Sequence, residues 1–132
     1  MKFSYKKLAA GILRPIIPLE IRHGGNSIRY EALVDSGADM NIIPGELAEP
    51  LGIIAESGRK ATVSGITGEG LPYYIHDVTI HIGGWPYEVE MGFMPEMPPF
   101  GYGVVGQRGF FEHFKITFNH RKAEIELKPH TA

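Results

Sequence analysis

The sequence predicts a mostly β single domain, a small barrel or sandwich of short strands. Three observations carry that reading. Apolar and polar side chains alternate through several short stretches, the two-residue period of a half-buried strand. Seventeen glycines and ten prolines among 132 residues cut the chain into pieces too short for long helices. Helix signals are confined to Pro44–Ala48, where Pro44 suits a first-turn position, and Gly109–Phe114.

Taken in order, Ile16–His23 reads as a strand, with Pro18 restricting it to a sheet edge or a bulge. Gly24-Gly25-Asn26 turns it into a second strand, Ser27–Asp35. There Ile28, Tyr30, Ala32 and Val34 share one face, and Arg29, Glu31 and Leu33 the other. Lys60–Ser64 and Leu71–Ile82 are extended and flank the glycine-rich run Gly65-Ile66-Thr67-Gly68-Glu69-Gly70. Gly83-Gly84 leads into the strand Trp85–Phe93, where Trp85 and Tyr87 read as strand packing. Met94–Gly103, with Pro95, Pro98 and Pro99, is a surface loop. Phe110, Phe111 and Phe114 fit one packed face of a short helix. Lys115–Phe118 and Ala123–Leu127 close the chain as a hairpin around Asn119-His120-Arg121. Its second strand puts Ala123, Ile125 and Leu127 on one face, which must cover the core or an interface. No repeat or linker interrupts the pattern, so residues 1–132 form one domain with a core from about 14 to 127.

Composition excludes several classes of function. A hydrophobic share of 43% allows a proper core, and a net charge of −2 argues against a nucleic-acid partner. The absence of cysteine removes disulfide scaffolds, cysteine nucleophiles and thiolate metal sites, and fits a cytoplasmic setting. Lys2, Lys6 and Lys7 before Leu8-Ala9-Ala10 give a faint leader-like start, but Arg14 and Pro15 break the apolar run. No stretch approaches the roughly 20 apolar residues that span a bilayer, so a soluble chain without a membrane partner is expected. His76 and His81, an odd number apart on one strand, point to opposite faces, and His113 and His120 lack a carboxylate at ligand spacing. Neither a metal nor a cofactor is expected. Gly65–Gly70 lacks the lysine and the following helix of a phosphate loop, and Ser36 and Ser64 lie in no G-x-S-x-G elbow.

The segment that carries chemistry is Ala32-Leu33-Val34-Asp35-Ser36-Gly37-Ala38-Asp39. An apolar strand ends abruptly in a carboxylate, followed by a hydroxyl and a glycine. That order presents an aspartate from a rigid element into a tight turn, where the Ser36 hydroxyl can brace the backbone and Gly37 admits a close neighbour. By itself the triplet also fits an ordinary turn at a strand end. Two further features stand beside it. Tyr102-Gly103-Val104-Val105-Gly106 is a second apolar pair ending in glycine, and the Lys60–Ile82 hairpin has a glycine-rich tip suited to a lid.

This order of hairpin, Asp-Ser-Gly, lid hairpin, Val-Val-Gly and helix resembles the retropepsins, single-domain aspartic proteases of retroviruses with cellular and bacterial relatives. The resemblance runs from about Arg14 to Phe118, with Leu33–Asp39 matching the family signature and Val63–Gly70 its flap. It implies a small closed β-barrel with a flap hairpin and one short C-terminal helix. It also implies Asp35 as the catalytic residue, Ser36 and Gly37 as support for the active-site loop, and a substrate-binding surface of Ala38, Asp39, Gly65, Ile66, Thr67, Gly68, Val104 and Val105. Gln107 and Arg108 depart from the retroviral pattern, which has arginine directly after the glycine, so an arginine pair with Asp39 is not expected.

The chain carries a single Asp-Ser-Gly triplet, whereas water activation and leaving-group protonation need two carboxyl groups. The resemblance therefore implies a homodimer in which two Asp35 side chains share one proton and hydrolyse peptide or protein substrates without metal or covalent intermediate. Val104, Val105, Ile66 and the Met94–Phe100 loop suggest apolar side-chain pockets. The competing reading is a silent member of the same fold that binds peptides or dimerises. Its mark would be a missing aspartate or a closed cleft.

Overall fold

A computed structural model describes residues 1–64, 70–97 and 102–130 of the chain. Among the described residues, twelve strands carry the fold: β1 (Lys2–Ser4), β2 (Lys6–Ala9), β3 (Ile12–Arg14), β4 (Ile16–His23), β5 (Asn26–Val34), β6 (Ile42–Pro44), β7 (Arg59–Ser64), β8 (Gly70–Ile82), β9 (Trp85–Met94), β10 (Val104–Val105), β11 (Phe114–Asn119) and β12 (Glu124–Pro129). The mostly β class predicted from alternation is the class observed.

The main sheet runs β4-β5-β10-β6-β9-β8-β7, and β4 also pairs with β8. That extra pairing closes six strands into a ring and leaves β7 as a flange on β8. Closure removes the free edges that an open sheet of this size would present. The long strand β8 makes it possible: its first half pairs with β7, its second half with β9, and Thr79–His81 reach β4 at Glu20–Arg22. At Pro18, β4 pairs on one side alone, opposite Glu31, so the missing proline N–H costs no ladder bond. Inside the ring lie Ile17, Ile21, Ile43, Ile80, Met91, Phe93 and Val105, none of them measurably exposed.

A three-stranded sheet, β1-β12-β11, packs against this body. Ile125 and Leu127 of β12 are wholly buried in the same core as Phe110 and Phe114, so the apolar face of the last hairpin covers the core. The N-terminal segment pairs with it in register, Lys2 with Glu126 and Ser4 with Glu124. The Met1 ammonium donates to the Leu127 carbonyl at 2.9 Å. Strands β2 and β3 form a separate hairpin with Ile12 and Leu13 exposed, hinged to the body where Val34 N–H donates to the Pro15 carbonyl.

Two local expectations shift. The helix expected at Gly109–Phe114 is a run of turns feeding β11, and the helical turns lie at Gly45–Leu51 and Ala55–Ser57 as 3-10 segments. Gly109 has φ +96°, outside the helical region, so the stretch cannot wind regularly there. Phe110 and Phe114 still bury their rings, 5.1 Å apart, by turn geometry in place of helical spacing. Trp85, read as strand packing, stands 67% exposed beside the Gly83-Gly84 turn, where the ring has no facing element to meet. The hairpin of β7 and β8 pairs from Arg59–Ile75 to Ser64–Gly70, and its predicted lid residues Gly65, Ile66, Thr67 and Gly68 lie outside the described residues.

Candidate active site

Strand β5 delivers the Asp-Ser-Gly turn between two neighbours. On one side it pairs antiparallel with β4; on the other it pairs parallel with β10, Leu33 opposite Val104 and Val34 opposite Val105. Three backbone bonds fix its last residues: Leu33 N–H to Gly103 O at 2.9 Å, Val34 N–H to Pro15 O at 2.9 Å, and Asp35 N–H to Val105 O at 3.0 Å. The aspartate therefore leaves a strand held on both edges. Its side chain is half-buried, while Ser36, Gly37 and Asp39 are exposed.

The turn holds one carboxylate oxygen. Gly37 N–H donates to Asp35 Oδ1 at 2.9 Å, and Ala38 N–H donates to the Asp35 carbonyl at 3.1 Å. The Ser36–Gly37 peptide is also gripped from its other end, because Gln107 Nε2 donates to Ser36 O at 2.5 Å. A single amide thus accepts from Gln107 through its carbonyl and donates to Asp35 through its N–H. Hydrogen bonds in series through one amide polarise it and reinforce each other.

Behind the turn the chain is locked. Gln107 N–H donates to Ala38 O at 2.8 Å and Arg108 N–H to Asp39 O at 2.9 Å. Asn41 is completely buried; its Oδ1 accepts Gly106 N–H at 3.0 Å, its Nδ2 donates to Glu90 O at 3.3 Å, and its carbonyl accepts Gly92 N–H at 2.8 Å. It ties the strand after the turn to β9 and to the loop after β10. Gly106 is where these backbones cross: a Cβ there would lie 2.4 Å from Ala38 O and 2.8 Å from Met40 O. No side chain fits in that space.

The arginine beside this lock does not reach Asp39. Arg108 pairs with Glu90 Oε1 at 2.8 Å, and Arg59 of β7 takes Glu90 Oε2 at 3.0 Å, so one carboxylate on β9 serves two guanidinium groups. The departure at Gln107 had put an arginine pair with Asp39 in doubt; here the guanidinium of Arg108 turns to Glu90 on β9. Tyr30 marks the approach from the other side: its hydroxyl accepts Gly103 N–H at 2.9 Å, and burial pushes the phenol above its ordinary range despite that N–H.

Of the predicted site residues, Asp35, Ser36, Gly37, Ala38 and Asp39 form one rim, with Ser36, Gly37 and Asp39 exposed, Asp35 and Ala38 half-buried, and Val104 half-buried alongside. Val105 is a correction: its side chain lies in the core at 0% exposure, since neighbours on a strand face opposite ways, and it backs the turn without lining a surface. Asn41 was not singled out from sequence, and Gln107 only as a departure from the retroviral pattern. Asn41 had a signal, a lone amide between Met40 and Ile42-Ile43, where a polar residue inside an apolar run must be buried with partners. Gln107 had none beyond its place after Gly106.

Two of the six histidines bond to backbone carbonyls away from this turn. His76 Nε2 lies 2.8 Å from Ala55 O and His23 Nδ1 3.1 Å from Leu51 O, and the described residues contain no cluster of three metal-binding side chains. Two open depressions of about 610 and 480 Å³ share Pro18 and Arg29 and do not reach Asp35. At the larger one, the hydrogen bond from Arg22 holds the half-buried Glu20 carboxyl below its ordinary range.

Comparisons with known proteins bear on the family and the fold. Residues 21–109 match the family model described as "gag-polyprotein putative aspartyl protease". No curated protein matches the chain. Among solved structures, the EIAV protease complexed with the inhibitor HBY-793 is similar at 22% identity and a TM-score of 0.52, over 70% of this chain and 81% of that one. At that identity the likeness is one of fold.

Proposed function

Because this chain belongs to the gag-polyprotein aspartyl protease family and has the retropepsin fold, we propose that it is an aspartic endopeptidase acting as a homodimer through two Asp35 side chains. The observation that carries the reading is the Asp35 turn itself. A carboxylate at the end of a strand braced on both edges has Oδ1 held by Gly37 N–H and its face towards solvent. One such group cannot be base and acid at once, and the chain has one Asp-Ser-Gly.

In the proposed reaction the two carboxyl groups share one proton, since two like charges in contact cannot both ionise readily. The ionised aspartate takes a proton from a water held between them as that water attacks the peptide carbonyl carbon. The protonated aspartate donates to the carbonyl oxygen, giving a neutral tetrahedral diol. Collapse of the diol returns that proton to an aspartate, breaks the C–N bond and delivers the other proton to the leaving nitrogen. Atoms and charge balance with water as the sole co-substrate. Val104, the rim Ala38–Asp39 and the β7–β8 hairpin would bound an extended peptide.

The test is a cleavage profile on a mixed peptide library, with the wild-type chain against Asp35→Asn and against mixtures of the two. Cleavage lost in the variant, with activity suppressed when the variant is added in excess, is the expected result. A monomer by sedimentation that still cleaves peptides would overturn the shared pair.

A further inference from the structure

Resting on the protease reading above, we propose that Tyr30 is a positioning residue for substrate selectivity. Its hydroxyl holds the entry of β10 and so sets where Val104 stands against a bound peptide.

The strand concerned is two residues long, Val104 and Val105. So short a strand has little pairing of its own, and its ends decide its place. Its carbonyls, with that of Gly103, face β5: Leu33 N–H donates to Gly103 O at 2.9 Å and Asp35 N–H to Val105 O at 3.0 Å. The two glycines that flank it are held by side chains. At the exit, Asn41 Oδ1 accepts Gly106 N–H at 3.0 Å; at the entry, the Tyr30 hydroxyl accepts Gly103 N–H at 2.9 Å.

The entry clamp is tight. A Cβ on Gly103 would lie 2.5 Å from Tyr30 Cε2 and 2.5 Å from its hydroxyl oxygen, so the ring sits directly against this backbone and leaves no room for a side chain. Tyr30 is itself well anchored. It stands on β5 opposite the buried Leu19 and packs against the main core. Burial raises the phenol above its ordinary range despite the N–H it accepts, so the hydroxyl holds Gly103 as a neutral acceptor.

Position along the chain directs the effect to Val104 before Asp35. Val104 follows Gly103 directly, pairs with Leu33 on one side and Ile42 on the other, and is half-buried where Val105 is in the core. Neighbours on a strand face opposite ways, so the Val104 side chain is the one turned away from the core. Asp35 lies beyond Val105, and its turn carries separate bonds from Gly37 N–H and Ala38 N–H. With Gly103 released, Val104 loses its nearest anchor while the carboxylate keeps its own. Selectivity for the substrate side chain that meets Val104 should therefore respond before the chemical step does.

Tyr30→Phe is the test, because it keeps the ring and removes only the acceptor. Exchange of the Gly103 N–H, followed by NMR, should become about tenfold faster. Selectivity is read as the ratio of kcat/KM for two peptides that differ only at the residue whose preference Val104→Ala alters; a ratio is indifferent to any loss of folded enzyme. That ratio should fall about fivefold in Tyr30→Phe, with kcat on the better peptide within about twofold of wild type. Added to Val104→Ala, Tyr30→Phe should move the ratio no further, since it acts through that side chain. An unchanged ratio beside faster exchange would make Tyr30 a structural support only and overturn the proposal, as would an equal fall with and without the Val104 side chain. Unchanged exchange would remove the clamp itself. Each of those results leaves the protease reading standing, whereas a wild-type chain that cleaves no peptide would overturn both.

Discussion

The two halves of the loop from Asp35 to Asn41 are built on opposite rules. The front, Asp35–Gly37, is half-buried at Asp35 and exposed at Ser36 and Gly37; beside the backbone bonds of Asp35 to Val105 and Ala38, Gly37 N–H holds the carboxylate and Gln107 Nε2 holds the Ser36 carbonyl. The rear, Met40–Asn41, is buried, and the Asn41 side chain bonds to backbone from two other parts of the chain. Chemistry is placed where solvent reaches the chain and rigidity where the chain is buried. A substitution at the front should therefore change rate without changing stability, and one at the rear should do the reverse.

The sharpest separation is expected from Asp35→Asn. Loss of the general acid–base group should lower kcat/KM by roughly 10²–10⁴ or more, while the thermal midpoint stays within about 2 °C of wild type. A large fall in midpoint would show that the front also carries the fold. Gly106→Ala should be next, with both properties failing together. Its Cβ would meet two backbone carbonyls that cannot move independently, at a cost of about 3 kcal/mol or more in stability, read by denaturant unfolding.

Asn41→Leu should act on stability first. It strips partners from Gly106 N–H and the Glu90 carbonyl, each costing about 1–3 kcal/mol when left unmet. The thermal midpoint should drop by on the order of 10 °C, with kcat at a permissive temperature reduced far less. The smallest effect is expected at Gln107→Met, which keeps length and removes the donor to Ser36 O. Losing about 1 kcal/mol of support for the Ser36–Gly37 amide should reduce kcat about fivefold with KM nearly unchanged. Gln107→Lys, which still offers an N–H at that reach, should recover most of the loss. A change confined to KM would place Gln107 in substrate contact instead.

The front of this loop was legible in the sequence because its logic is local. Strand, carboxylate, hydroxyl and glycine follow one another, and the alternation of Ile28, Tyr30, Ala32 and Val34 put Asp35 at a strand end before any fold was known. The hairpins β4–β5, β8–β9 and β11–β12 were legible for the same reason, within a residue or two. What stayed hidden depends on distant partners. Asn41 meets Gly106 and Glu90, and Phe3 pairs with Ile125, contacts that no window of neighbouring residues contains. The turns at Gly109–Phe114 were misread for a related reason. The spacing of Phe110 and Phe114 fits a helix, yet Gly109 at positive φ starts the segment outside it.

The pairing of β1 with β12 also sets a clock. During synthesis the N-terminal strand emerges first, at roughly 5–20 residues per second, and must wait for the segment around Glu126 before it has anything to join. The ring has a similar though shorter delay, because β5 needs β10, whose Val104 pairs with Leu33. Local hairpins can form within microseconds, but such distant closures belong to the slow, millisecond-to-second end of folding. The small sheet of β1, β12 and β11 is consequently among the last parts of the molecule to exist. A nascent chain still short of β12 could already carry Asp35 while Phe110 and Phe114 lack the Ile125 and Leu127 side chains that close their side of the core.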